Sequence, residues 1–337
     1  MSSNLSYFQD ENGEQKAEVF VGSNVPAWHG EGTMIDGRAN AAQVMELAHL
    51  DWHVEKFPVR MDSTGLIIPD TFSVERTDKT GLDRYLGTVG KQYTVVQNAD
   101  QFSIFDGLVD RGEAIYETAG ALGKGERVWI LAKLPDDIVL DGKDEITNYL
   151  LLSNSHDGSS SFTAKLTPVR VVCSNTLSFA LSGAGREIKI RHTAGAKDRI
   201  EEAMRVMGIA RKEIGVANEA FNYMKHTAVD STMVAYFMYQ VLPATGKNTT
   251  KIENARTIVR NLFEGQGKGS DIAGSTIWGL YNAVAEYADH HRNYRSDKLN
   301  AVWYGSGAKL TRKAFDTGLA LPKTSKEEME AFIETAK

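Results

Sequence analysis

Lys165, Arg170, Arg186, Lys189, Arg191, Lys197 and Arg199 crowd into one stretch of this chain, with Arg205, Arg211 and Lys212 just beyond. Only Glu187, Asp198, Glu201 and Glu202 oppose them there. Such a row of cations suits polynucleotide phosphates, because counterions released from the nucleic acid offset the cost of contact. Phe162, Phe179 and His192 lie close by in sequence and offer rings on which unpaired bases stack. Lys189 and Arg191 are two apart in an alternating run from Arg186 to His192, so they share one strand face. The competing reading is a solvated charged face, with Asp198 and Glu201 beside Arg199 and with Glu202 beside Arg205. No helix-turn-helix, zinc-finger or ribonucleoprotein signature accompanies the cations, so base-specific reading of a duplex is not expected.

Three other groupings bear on chemistry. Glu286, Asp289 and His290 stand at i, i+3 and i+4 of a helical pattern, which puts three metal-ligating groups on one helix face. The plainer account is a polar helix end whose His290, His291 and Arg292 complement the C-terminal dipole, and no metal or cofactor is expected. Cys173 suggests a nucleophile with His156 as base and Asn175 as orienter, an arrangement that needs base and sulfur within hydrogen-bond reach. If residues 150–155 and 160–173 pair about the Asp157-Gly158 turn, His156 sits at the hairpin tip. Cys173 then sits near the far end, tens of ångströms away at ~3.3 Å per residue. Cys173 therefore reads as a small buried apolar residue. Gly265-Gln-Gly-Lys-Gly-Ser270 lacks the spacing of a phosphate-binding loop and reads as a flexible linker. The loop from Gly120 to Gly125 reads as a hairpin connection. Pro26-Ala-Trp-His-Gly30 is a compact aromatic turn in which plugging the domain is the preferred role of Trp28 over stacking on a base.

The elements that must position these groups change character along the chain. Asn40-Ala-Ala-Gln43 is a capping-box pattern opening a helix to about Leu50. Strands are expected from Trp52 to Val59 (interrupted at Pro58), Leu66 to Arg76, Tyr85 to Gln97, Ile115 to Ala121 and Arg127 to Leu134. A helix with Phe102, Phe105, Leu108 and Val109 buried interrupts this series after Asn98. A long hairpin around Asp157-Gly158 comes next, then a short helix from Asn175 to Leu181. After Thr193 the apolar period becomes helical. A long helix runs from Lys197 to His226, a second starts at Asp230-Ser231, and a third runs from Thr249 or Thr250 to Gly265. A fourth spans Ser275 to Arg292, and the last is capped by Ser325-Lys-Glu-Glu328. The fold class is α+β: a strand-rich antiparallel or mixed sheet domain followed by an all-helical one. The expected layout is a mobile tail over residues 1–17, a core domain over 18–193 and a helical domain over 194–337.

With 42% apolar and 24% charged residues the chain has a globular composition, and no run reaches the ~20 apolar residues of a membrane span. Its single cysteine leaves no internal disulfide framework. The polar, acidic N-terminus lacks the features of a secretory signal and the lone cysteine fits a reducing compartment, so a cytoplasmic location is expected. The net charge of −6 speaks against a protein that coats nucleic acid everywhere, and nine of the acids fall in residues 1–60.

Several strings resemble one family along nearly the whole chain: Pro26-Ala-Trp-His-Gly30, Tyr93-Thr-Val-Val-Gln-Asn98, Glu117-Thr-Ala-Gly-Ala121, Asn154-Ser-His-Asp-Gly158 and Arg170-Val-Val-Cys-Ser-Asn-Thr176. Trp278-Gly-Leu-Tyr-Asn282 and Asp289-His290 continue the likeness. The resemblance is to the DUF932 family of phage/plasmid-like proteins, a domain of unknown function, and it implies a mobile-element setting. The leading expectation is a non-enzymatic accessory protein of DNA metabolism. It binds single-stranded DNA through Lys165, Arg170, Arg186, Lys189, Arg191, Lys197 and Arg199, as a homo-oligomer if it anneals strands. One alternative is an interaction protein that blocks a host or phage factor through the acidic first 60 residues. Another is a metal-dependent enzyme built on Glu286, Asp289 and His290. No membrane partner is expected.

Overall fold

A computed structural model describes the chain except residues 1–4, 11, 23–32, 35–38, 171, 173–174, 177–187, 191–195, 245–248, 295–297 and 337. Side chains are likewise set aside at 33–34, 175 and 196–200. Strands and two helices fill the first part: β1 (Tyr7–Gln9), β2 (Gln15–Ala17), β3 (Val19–Val21), β4 (Thr33–Met34), α1 (Ala41–Leu47), β5 (Val54–Arg60), β6 (Ile67–Arg76), β7 (Tyr85–Gly90) and α2 (Asn98–Val109). Then come β8 (Ile115–Leu122), β9 (Arg127–Lys133), β10 (Ile138–Leu140), β11 (Asp144–Ser155), β12 (Thr163–Arg170), β13 (Asn175–Thr176) and β14 (Ile188–Lys189). The rest is helical: α3 (Ala196–His226), α4 (Ser231–Val241), α5 (Thr249–Asn261), α6 (Ser270–Ala273), α7 (Ile277–Glu286), α8 (Lys298–Trp303), α9 (Ser306–Ala320) and α10 (Lys326–Ala336). The class is α+β, as the change of period requires.

The chain forms two compact units, each discontinuous in sequence. The first comprises Met1–Pro135, Tyr149–Leu166 and Glu187–Ala210; the second comprises Asp136–Asn148, Thr167–Arg186 and Arg211–Lys337. This interleaving contrasts with the serial layout expected around residue 193. Strands β11 and β12 and helix α3 each begin in one unit and end in the other.

In the first unit the antiparallel order β3-β8-β9-β11 continues to β12, β14 pairs with β12, and β4 joins β3 in parallel. Residues 128–132 of β9 are buried throughout, as their unbroken apolar run requires. Helix α1 starts with the expected capping box: Asn40 Oδ1 accepts from the Gln43 N–H, and Gln43 Oε1 accepts from the Asn40 N–H. A separate antiparallel sheet is ordered β5-β6-β7, with a bulge after Pro58, whose missing N–H cannot serve a ladder. Strand β7 stops at Gly90, short of the expected Gln97. Beyond it the side chain of Gln97, not a strand, meets the Val54 backbone: Oε1 accepts from Val54 N–H and Nε2 donates to Val54 C=O.

In the second unit Phe221, Trp278, Tyr281 and Phe315 form an aromatic centre, with ring centroids of Phe221 and Trp278 5.0 Å apart. Two helices end in a π turn, Leu262–Gln266 after α5 and Tyr287–His291 after α7. The expected helix at 175–181 begins instead as β13, which pairs with the end of β12; its remainder lies outside the described residues. The expected linker at 265–270 is an ordered loop. Gly265 and Gly269 adopt φ of 126° and 68°, and a Cβ on Gly269 would lie 2.6 Å from Val172. These are backbone states that glycine alone adopts readily.

Candidate nucleic-acid interface

The basic row divides. Arg186 and Arg191 lie outside the described residues, as do the side chains of Lys197 and Arg199. Arg170 is 1% exposed, in the second unit. Its Nε and Nη2 donate to Asp144 Oδ1 and Oδ2, each at 2.7 Å, and Nη2 also donates to the Gly269 carbonyl at 3.0 Å. Trp278 Nε1 donates to Asp144 Oδ2 at 2.8 Å. Arg170 is therefore committed internally, which corrects its assignment to a phosphate-binding row. The physical reason is parity: Lys165 and Arg170 are five residues apart on one strand, an odd number, so their side chains leave opposite faces.

Lys165 and Lys189 stay together. The register pairs Thr163 with Lys189, which puts Lys189 on the face of β12 that carries Lys165. Lys189 is exposed between buried Ile188 and Ile190, as its alternation requires. Its carbonyl accepts from Arg205 Nη2 at 3.0 Å, and Arg205 is itself held by Glu202 at 2.6 Å. Strand β14 is thus pinned to α3 within the first unit.

Lys189 opens onto a cleft of about 540 Å³ that lies wholly in the first unit. Three segments line it: residues 92–94 with Val96, residues 158–162 with Asn154, and Lys189 with Ile190. No carboxylate is among these residues. The walls are built. In the turn, Ser155 Oγ donates to Asp157 Oδ1 at 2.6 Å, Ser159 N–H donates to the same oxygen at 2.8 Å, and Ser160 N–H donates to Ser155 Oγ. Burial by itself raises the Asp157 pKa, but these hydrogen bonds outweigh it and hold the carboxyl below its ordinary value. Gly158 has φ of 78°, and a Cβ on Gly87 of β7 would lie 2.7 Å from Asp157 Cα, so strand and turn meet at glycine. The opposite wall is held by Lys56, whose Nζ donates to the carbonyls of Gly90, Lys91 and Tyr93, the last at 2.8 Å. Tyr93 Oη donates to the Ser155 carbonyl and ties the two walls together, and burial first, then Asp157, pushes its pKa up to about 12.

His156, beside this turn, is fully buried. Its Nε2 lies 3.0 Å from Asn98 Oδ1, and its ring meets Trp52 edge-on at 5.3 Å. Asn98 Nδ2 donates to the Leu50 carbonyl, so Oδ1 is the acceptor and Nε2 carries the proton. Burial, reinforced by the Arg76 charge, lowers the His156 pKa to about 3. The imidazole is neutral and enclosed, unsuited to taking a proton from a ligand. Cys173 and Trp28 lie outside the described residues.

The candidate metal face comes apart. Glu286 and Asp289 are buried and His290 is exposed, because the π turn that starts at Tyr287 breaks the α-helical spacing. Glu286 Oε2 accepts from the Lys268 N–H at 3.0 Å, and Asp289 Oδ2 accepts from the Thr176 N–H at 2.6 Å. Burial raises both pKa values, that of Asp289 to about 7. Among the described residues no three His, Cys, Asp or Glu side chains gather as a metal set. The acidic first 60 residues are partly spent internally as well: Glu18 is buried on Arg76 and Asp10 pairs with Lys16.

A family model described as a domain of unknown function (DUF932) matches residues 85–304, well over half of the chain. The chain belongs to the DUF932 family. The matched region of this DUF932 protein takes in the described lining of the cleft, from Gln92 to Ile190, and the Arg170–Asp144 pair. No curated protein and no solved structure matches the chain. No helix among the described residues is long and apolar enough to cross a membrane. The cleft residues Gln92, Thr94, Ser160 and Ser161 escaped sequence reasoning. The Gly158-Ser-Ser-Ser161 run and the Tyr93-Thr94 string were the available signals, and no spacing rule ties position 92 to position 189.

Proposed function

We propose that this DUF932 protein is a non-enzymatic accessory factor of DNA metabolism, in the mobile-element setting that the family resemblance implies. It binds single-stranded nucleic acid at the cleft bearing Lys189. The observation that carries this reading is a built cleft whose described lining has one lysine, several hydroxyls and no carboxylate, which suits a phosphodiester and its sugar. Lys165 lies on the same strand face as Lys189. Tyr93 in the lining supplies a ring for a base. The neutral, enclosed His156 supports a binding role over catalysis.

The test is a titration of purified protein against fluorescent single-stranded DNA and the matching duplex at two salt concentrations. The expected result is binding of the single strand that weakens as salt rises, with weaker duplex binding. Absence of single-strand binding at the lower salt refutes the reading.

A further inference from the structure

The cleft is open to solvent but small, and its size limits what it holds. Its volume of about 540 Å³ corresponds to roughly 10 Å across, within the ~300–1,000 Å³ of small-molecule sites. Stacked nucleotides advance ~3.4 Å each, so at most about three enter, where grooves that track single strands take ~4–16 per domain. Its walls are anchored by Lys56 on one side and by the Ser155–Asp157–Ser159 turn on the other. The Ser159 and Ser160 N–H groups are already used within the turn. Among the described lining residues, the side chains offered to a ligand include the Ser160 and Ser161 hydroxyls, Thr94, Gln92 and the Lys189 ammonium.

Resting on the nucleic-acid reading above, we propose that the cleft is a pocket for one nucleoside monophosphate unit. Its phosphate sits at Lys189 with Ser160 and Ser161, and its base lies on the side of Tyr93 and Gln92. The unit is either a free mononucleotide or the 5′-phosphorylated end of a strand. The protein therefore captures ends or monomers and does not coat long tracts.

The experiment is a competition assay on the full chain with a labelled 5′-phosphorylated trinucleotide as probe. Competitors are thymidine 5′-monophosphate, linear 5′-phosphorylated strands of rising length and a circular single strand. The expected outcome is that the monophosphate and the linear strands compete while the circle does not, and that affinity stops rising by about three nucleotides. Lys189→Ala and Ser160→Ala/Ser161→Ala each lower probe affinity, the first by about tenfold, with unchanged thermal unfolding. A circle that competes as well as the linear strand, with affinity still climbing with length, overturns the pocket and leaves single-strand binding standing. Competition by the monophosphate alone keeps the pocket and removes the polynucleotide reading. No displacement by any competitor, or a probe that does not bind, sinks both.

Discussion

Arg170 and Lys189 come from one basic stretch and end with opposite roles. In the second unit Arg170 is enclosed with Asp144, Trp278 and a glycine-turn carbonyl. In the first, Lys189 faces an open cleft, and its backbone carbonyl accepts from Arg205. The difference teaches that a density of cations along a chain does not define a surface. Strand parity and a carboxylate distant in sequence decide which of them reach a ligand.

The strongest way to break the comparison is to remove the buried cation. Arg170→Ala leaves Asp144 enclosed without its partner and is expected to destabilise the second unit by about 3–5 kcal/mol in urea unfolding. Arg170→Met with Asp144→Leu restores most of it, because an apolar pair carries no stranded charge. Equal stability of the single and double variants would contradict the assignment.

Next in size is a pH effect in the same unit. Asp289 has a folded pKa of about 7, above an unfolded value of ~3.9, so the folded state holds its proton more tightly. Its contribution is present below pH ~4 and is lost as pH rises toward 7, at up to ~1.4 kcal/mol per pH unit. Asp289→Asn, which keeps an acceptor for the Thr176 N–H, should flatten unfolding midpoints over this window and be the more stable form above pH 7. His156 in the first unit has the opposite sign: its folded pKa, about 3, is below the ordinary 6.5. It opposes folding as pH falls from 6.5 toward 3. Proton uptake followed by histidine NMR should show His156 uncharged at pH 5; a charged ring there would refute its enclosure.

Smaller effects sharpen the cleft side. Gly158→Ala forces an L-residue to φ of 78° and against Val89, and should cost about 1–2 kcal/mol together with probe binding. Lys56→Met releases the carbonyls of Gly90, Lys91 and Tyr93. Faster amide exchange in that loop, with the β8–β9 core unchanged, is the expected signature.

Much of the fold was legible because its signals are local. The Asn40 and Ser325 capping boxes, the Asp157-Gly158 turn and the alternation at Ile188-Lys189-Ile190 each follow from neighbouring residues. The site was less so. Arg170 meets Asp144, which is 26 residues away, and the cleft joins Gln92 to Lys189 through packing of a loop against a turn. The π turn after Glu286 defeats a spacing rule that holds only for α-helix, and Gly265 and Gly269 give fixed positive-φ turns that read in sequence as looseness.

The central assignment, Lys189 at a phosphate site, is tested most directly by the salt dependence of single-strand binding in wild type and Lys189→Ala. Loss of one phosphate contact should lower affinity about tenfold at low salt and reduce the slope of log K against log salt by about 0.7. Superimposable curves for the two proteins would contradict it.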